Sequence, residues 1–326
     1  MTAPEVTVAV VSWNTRELLG RCLRSLAAAA DAGVASVVVV DNGSTDGSPE
    51  LVEREHPWAT LTRPGANLGF GPAVNLVAAT SSAEWVAAAN ADVALVPGAL
   101  EAMLAAGRNP AVGAVAPKLV MPDGRPQDSV HPFPGLGLAL AFNLGLGRLA
   151  PGLGERLCLP GRWDPDRRRD IDWALGAWLL IRRSAFDAVG GFDPRQWMYA
   201  EDLDLCWRLR GGGWRIAYEP RAEVRHEVSA ATRAAFAGEG ERRHIAAAYA
   251  WMARRRGIGA AWAYAAINVA GAGIRLLALA PLAAVLPERF GRPRRRLARY
   301  LTLHRAGLRR RRRLVAETGA SAAAHQ

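Results

Sequence analysis

The first part of the chain alternates two kinds of hydrophobic pattern. Runs of five or six mostly apolar, β-branched or small residues stand at 6–11, 36–40, 85–89 and 112–116. They lack polar alternation, as strands buried on both faces do. Between them lie stretches of helical period: 15–30, where Leu18, Leu19, Cys22, Leu23 and Leu26 recur at turn spacing; 72–79; and 97–106, opened by Pro97, a residue suited to a first helical turn. Strand alternating with helix predicts a doubly wound α/β domain with a mostly parallel central sheet. Ligands bind such sheets beyond the carboxyl ends of the strands. That rule singles out 12–14, 41–48 and 90–92.

From 121 to 170 the chain is rich in Gly and Pro without a sustained period, which predicts a functional lid or mobile insertion. The run IDWALGAWLLIR at 171–182 predicts a strand, 184–189 a short helix, and 214–218 a further strand. QWMYAEDLDLCWRLRGGG, acidic at its start and ending in arginine and glycine, has the polarity of a helix. Beyond 254 the composition shifts to two apolar stretches, 262–274 and 276–286, split by Arg275 and bent by Pro281. A spanning helix needs about 20 continuous apolar residues, and a mid-membrane arginine costs roughly 2.5–3.5 kcal/mol on insertion scales. An interfacial or re-entrant segment is therefore expected, the other reading being a core helix pair with a solvated basic tail. The expected organisation is a catalytic domain over 1–240 and a helical apolar segment with an arginine-rich tail over 241–326.

Composition changes this picture in one respect. Half of the 326 residues are apolar, enough for a large core, and the formal charge is +11. Residues 289–313 hold twelve arginines and no acidic residue, so the basicity belongs to one tail. Nucleic acid is not an expected partner, because basic residues are not spread over the folded domain with aromatics among them. The tail suits anionic lipid instead, at about 1 kcal/mol per basic residue near the surface. Cys22, Cys158 and Cys206 are odd in number and form no CxxC pair, which suits a reducing compartment. MTAPEVTVAVVSWN lacks a basic n-region and a cleavage site, so a cytoplasmic location is expected.

The strand-end residues suit a nucleotide diphosphate bound through a divalent ion. Magnesium and manganese are commonly held by one or two carboxylates together with the phosphates. Asp92, two residues after Asn90, is placed for that role or for capping the next helix. Asp41 ends the apolar run VVVVD, where a carboxylate needs hydrogen bonds. It either meets a base or ribose or forms an Asx turn. NLGFG at 67–71 offers glycines for close backbone approach. Glu201, Asp202 and Asp204 either compensate a helix dipole or include a general base that takes the proton from an attacking hydroxyl. His226, in EVRHE, is a metal or phosphate ligand or an ordinary surface histidine.

Taken in order, VVSWN, VVVVDNGSTDGS, GANLGFGPAVN, ANADV, DWALGAWLLIRRSAF, VGGFDPRQWMYAEDLDLCWRLRGGGW and VRHEVS resemble glycosyltransferase family 2 over roughly residues 5–230. The likeness is strongest to its rhamnosyltransferase-like branch, which includes actinobacterial enzymes acting on polyprenyl-linked acceptors. The resemblance implies an α/β GT-A fold and inversion at the anomeric carbon. It implies donor contacts from Ser12, Asn14, Asp41, Asn42, Asn67, Gly69, Asn75, Asn90 and Ala91, with Asp41 on the base. It places Asp92 and His226 on a divalent cation, Mg2+ or Mn2+, with Asn90 standing where the family's DxD-like site has its first acidic residue. Asp202 would be the general base and Glu201 its orienting neighbour, while Trp173, Gly176 and Tyr199 would line the sugar or acceptor pocket. The implied donor is dTDP-rhamnose, with UDP-galactofuranose or another hexose donor as the alternative. The implied acceptor is a polyprenyl-linked cell-wall or polysaccharide glycan, reached by a peripheral or monotopic enzyme at the inner face of the membrane. A processive synthase would carry QxxRW and several spanning helices, and a sugar-nucleotide pyrophosphorylase a glycine-rich N-terminal signature with a basic residue. Neither pattern is found, and a nonenzymatic membrane-binding protein would account for the tail only.

Overall fold

A computed structural model describes residues 4–146, 151–159, 161–196, 199–227 and 240–309. The valine-rich runs become β1 (Val6–Ser12) and β2 (Ala35–Asp41), and the alanine-rich run becomes β4 (Trp85–Asn90). β1 lies between the other two and pairs in parallel with each, so the chain leaves β1 to one side and later returns on the other. Such a reversal opens a crevice at the carboxyl ends of the strands. Here the register sets Ser12 opposite Asp41 and Val11 opposite Asn90.

The full sheet has nine strands among the described residues, eight of them in the order β3-β2-β1-β4-β10-β6-β11-β5. Of these, β3 is Thr60–Thr62, β5 Val93–Leu95, β6 Val112–Val120, β10 Trp178–Arg182 and β11 Arg215–His226. β8 (Arg169–Asp170) pairs with β11, and a separate two-stranded sheet joins β7 (Val130–His131) to β9 (Trp173–Ala174). β10 is antiparallel to both neighbours, β4 and β6, while β11 runs parallel to β6. A mixed, mostly parallel sheet results.

Helices cover the faces. α1 (Arg16–Asp31) buries Leu19, Cys22, Leu23 and Leu26, the residues whose spacing predicted it. α2 (Ser48–Glu55), β3 and β5 carry no pattern of their own in the sequence, with eight, three and three residues. α3 (Phe70–Thr80) and α4 (Ala99–Gly107) follow, each after a glycine with positive φ, Gly69 and Gly98.

Two strand boundaries differ from the sequence expectation for physical reasons. The run at 171–182 is broken into β9 and β10, because Leu175 N–H donates to Ser129 O and Gly176 N–H donates to Asp202 instead of to a sheet neighbour. The strand expected at 214–218 continues to His226 through a register shift after Glu219, at a proline that ends the apolar alternation. The expected lid also contains fixed structure, since β6 ends in a turn closed by Met121 N–H to Arg125 O and Gln127 N–H to Leu119 O.

The chain forms two units, Met1–Phe133 with Asp164–Gly238 and Pro134–Trp163 with Glu239–Ala320. The first contains the nine-stranded sheet, its covering helices and the small sheet; its further helices are α7 (Arg183–Ala188) and α8 (Glu201–Gly211). The second is helical: α5 (Leu136–Asn143), α6 (Pro151–Arg156), α9 (Gly240–Arg255), α10 (Ile258–Val285) and α11 (Pro287–Arg309). The apolar stretches expected to be split at Arg275 form one continuous helix of 28 residues, long and apolar enough by length and composition to cross a membrane. Arg275 interrupts the apolar run and not the helix, arginine being a good helix former; its guanidinium folds back to Gly271 O and reaches Asn143 Oδ1 at 2.7 Å. Pro281 sits inside the helix near its end. Arg310–Arg313 of the basic tail lie outside the described residues.

α3 packs through Gly71, where a Cβ would fall 2.8 Å from Phe192 Cβ. Gly71→Ala is therefore expected to lower stability by about 1–3 kcal/mol through overpacking, read as a fall in the urea or thermal midpoint. An unchanged midpoint would show the contact to be looser than described.

Candidate active site

The strand ends bring most of the singled-out residues to one edge of the sheet. Asp41 is buried, and its Oδ2 accepts N–H bonds from Gly43 at 3.2 Å and Ser44 at 3.0 Å. That is the Asx turn open from the sequence. Its second oxygen, Oδ1, is enclosed with no hydrogen-bond partner in the protein. A buried acceptor left unpaired costs about 1–3 kcal/mol, so this oxygen can take an N–H or O–H from a ligand.

Several polar residues around Asp41 are spent on holding loops. Asn14, at φ 52°, accepts from Thr45 N–H at 2.8 Å, and its own N–H donates to Ser44 Oγ. Ser12 Oγ is 3.0 Å from Thr15 Oγ1. Asn42 bridges to Leu68 N–H and Gly69 O, and Asn67 Oδ1 accepts from Gly69 N–H. Asn75 lies apart from the strand-end group as a clamp: its amide donates to Phe192 O and accepts from Phe192 N–H, both at 2.8 Å.

Asn90 and Ala91 continue the edge. Asn90 N–H donates to Ala177 O, and Ala91 N–H donates to Val11 O. Asp92 does not cap α4, whose N-cap is Gly98; β5 stands between. The β5–β11 ladder instead places His226 opposite Val93, with Glu227 N–H donating to Asp92 O at 3.0 Å. Both side chains are nearly buried, and His226 Nε2 lies 3.4 Å from Asp92 Oδ1. On the far side of the ring, His226 Nδ1 is 2.8 Å from Gln127 Oε1. An amide oxygen only accepts, so in the neutral ring Nδ1 carries the proton and Nε2 turns its lone pair toward the carboxylate. Two lone pairs at this separation suit a shared cation.

Among the described residues no group of three or more His, Cys, Asp and Glu could hold a metal. A pair such as Asp92 and His226 fits an ion whose other ligands are phosphates and water. Nothing in the sequence pointed to Gln127, which is 99 positions from His226.

The second group arrives through β10. Its first residue, Trp178, pairs with Ala89, so the preceding turn falls beside the end of β4. There Gly176 N–H donates to Asp202 Oδ2 at 2.8 Å, and Leu203 N–H donates to Oδ1 at 2.7 Å. A Cβ on residue 176 would lie 3.3 Å from Asp202 Cβ, so glycine permits this approach. Thus the backbone runs Asp92, Ala91, Asn90, then across the ladder to Ala177 and Gly176, and from there to the Asp202 carboxylate. Tyr199 and Ala200, immediately before α8, have φ of 61° and 65°, a left-handed conformation that costs a residue other than glycine roughly 1–2 kcal/mol. Trp197 and Met198 of the same motif lie outside the described residues.

Asp204 is structural, fully buried and paired to Arg208 Nε at 2.7 Å. Trp173 is buried, donates from Nε1 to Pro132 O at 3.0 Å, and has His131 tilted against it at 4.7 Å. Glu201 is half-buried as a residue, but its Oε2 is enclosed without a partner. Burial, with the charge of Asp202 beside it, pushes the Glu201 carboxyl up to about 8.

The chain matches the model for glycosyl transferase family 2 over residues 7–145 and that for glycosyltransferase like family 2 over residues 166–250. N-acetylglucosaminyl-diphospho-decaprenol L-rhamnosyltransferase of Mycobacterium tuberculosis is 38% identical over 253 residues, covering 74% of this chain and 80% of that protein. The chain belongs to glycosyl transferase family 2. This glycosyltransferase is also similar to the pre-mycofactocin glycosyltransferase of the same organism, 31% identical over 226 residues, 68% of this chain and 43% of that one. In fold it is similar to a mannosyltransferase from Pyrobaculum calidifontis solved with GDP-Man and Mn2+, at TM-score 0.58 and 21% identity, over 94% and 88% of the two chains. The glycosyltransferase thus has the GT-A architecture expected from its sequence.

The Glu201 carboxyl sets a pH dependence with a definite sign. Its folded value is raised, so between about 4.5 and about 8 the native protein keeps a proton that the unfolded chain has released. Stability therefore falls as pH rises through this window, by at most about 1.4 kcal/mol per unit. Glu201→Gln should gain stability over the wild type as pH goes from 5 to 8, measured by urea melts at each pH. Parallel curves for the two proteins would contradict the assignment.

Proposed function

We propose that this enzyme transfers L-rhamnose from dTDP-rhamnose, with inversion, to a hydroxyl of a polyprenyl-linked glycan precursor of the cell wall. The observation that carries the reading is the Gly176 N–H bond that sets Asp202 beside the strand end bearing Asn90 to Asp92. The donor and acceptor identities rest on the 38% identity to a decaprenol-linked rhamnosyltransferase.

In this reading Asp41 Oδ1 receives an N–H of the pyrimidine base, which supplies the partner that the oxygen lacks. The loops tied by Asn14, Asn42 and Asn67 enclose the nucleoside, with Gly69, Asn90 and Ala91 along its path. Asp92 and His226 would hold a divalent cation, which supplies charge neutralisation on the departing diphosphate. Asp202 removes the proton from the acceptor hydroxyl as that oxygen attacks the anomeric carbon from the face opposite the diphosphate. Its two N–H bonds fix both carboxylate oxygens and leave lone pairs for the incoming proton. Glu201, whose carboxyl is pushed up by burial and by the charge of Asp202, stands beside the base as its orienting neighbour. Tyr199 and Trp173 bound the acceptor side. The acceptor carries a polyprenyl chain, and α10 with the basic α11 keeps the enzyme at the inner face of the membrane, as a peripheral or monotopic protein.

Asp202→Asn is expected to lower transfer by roughly 10²–10⁴-fold while dTDP affinity changes by less than about threefold. Rate and affinity would be read from radiolabelled transfer and calorimetry. A variant that keeps most of its turnover would remove Asp202 from the role of base.

A further inference from the structure

The segment 127–133 lies where the sequence suggested a mobile insertion, yet it touches both halves of the site. Gln127 is anchored by its own N–H to Leu119 O, and its side-chain Oε1 meets His226 Nδ1. Two residues on, Ser129 O accepts from Leu175 N–H, next to the Gly176 that holds Asp202. Further along, Pro132 O accepts from the Trp173 indole and Phe133 N–H donates to Asp172 Oδ2 at 3.0 Å. Seven consecutive residues therefore fasten the His226 side and the Asp202 side to one backbone.

We propose that Gln127 is a positioning residue of this strap: by accepting the Nδ1 proton of His226 it fixes the ring's tautomer and orientation, so that Nε2 faces Asp92 and the pair is preset for a divalent cation carrying a nucleoside diphosphate. The physical reason is general. A histidine that ligates a metal through one nitrogen usually has the other held by an acceptor, and losing that acceptor typically costs 10–100-fold in metal affinity. The imidazole of His226 has two ring nitrogens facing two different groups. Without Gln127 nothing in this pair of contacts selects which nitrogen carries the proton. The inference rests on the reading of Asp92 and His226 as cation ligands given above.

Calorimetric titration of MnCl2 in the presence of dTDP tests it on the full-length protein, with no need for turnover. Gln127→Ala should weaken Mn2+ binding by about tenfold or more, Gln127→Glu, which still accepts the Nδ1 proton, should restore it to within about threefold, and thermal midpoints should stay close to wild type. His226→Ala should weaken binding at least as much, and adding Gln127→Ala to it should cost nothing further, because Gln127 acts only through the ring. If His226→Ala weakens binding and Gln127→Ala does not, the strap is wrong and the cation site stands. Full additivity of the two substitutions would also overturn the proposal. If neither substitution changes Mn2+ binding, both the strap and the ligand role of His226 fall.

Discussion

One backbone hydrogen bond organises the site: Gly176 N–H to the Asp202 carboxylate. It forms where β10, antiparallel to β4, brings the chain to the carboxyl end of the parallel strands just before Trp178. The turn there spends its donors outside the sheet, Leu175 on Ser129 and Gly176 on Asp202. The absence of a side chain at 176 admits the carboxylate, and the strained backbone at Tyr199 and Ala200 delivers it at the first turn of α8. Asp202, 110 positions from Asp92, is thereby tied through Gly176 and Ala177 to the strand end that bears Asn90.

The parallel half of the fold was readable because its strands are buried on both faces. Val6–Ser12, Ala35–Asp41 and Trp85–Asn90 are continuous apolar runs, and the rule for strand carboxyl ends leads directly to Ser12, Asp41 and Asn90. The antiparallel half was harder to read. β5 has three residues and β9 two, too short for any period, and β11 passes through a register shift at a proline. The helix bearing Glu201 and Asp202 was legible from its charge polarity. What held it was not, because the partner of Asp202 is a main-chain N–H with no residue signature. Gln127 was hidden for a similar reason: a lone glutamine in a Gly- and Pro-rich stretch carries no pattern until the sheet places His226 beside it.

The second unit shows how polar groups can live on an apolar helix. Asn268, almost fully buried on α10, accepts from Asn143 Nδ2 at 3.0 Å and from the Tyr300 hydroxyl at 2.9 Å. Arg275 is likewise held by Gly271 O and Asn143 Oδ1. Polar groups satisfied within the protein remove much of the penalty that an apolar surrounding would impose. The arginine that split this stretch in a reading of hydropathy alone is thus compatible with a continuous helix. Apolar side chains remain exposed along α10, Ile274 at 68% and Leu277 at 77% among them.

In the proposed reading Asp41, Asp92 and Asp202 face one donor. A crystal structure of the enzyme grown with dTDP and MnCl2, with the manganese located by its anomalous signal, would decide it. Manganese is expected on Asp92, the thymine against Asp41 Oδ1, and an open path from the diphosphate to the Asp202 carboxylate. A nucleotide ordered elsewhere, or one from which Asp202 is walled off, would contradict it.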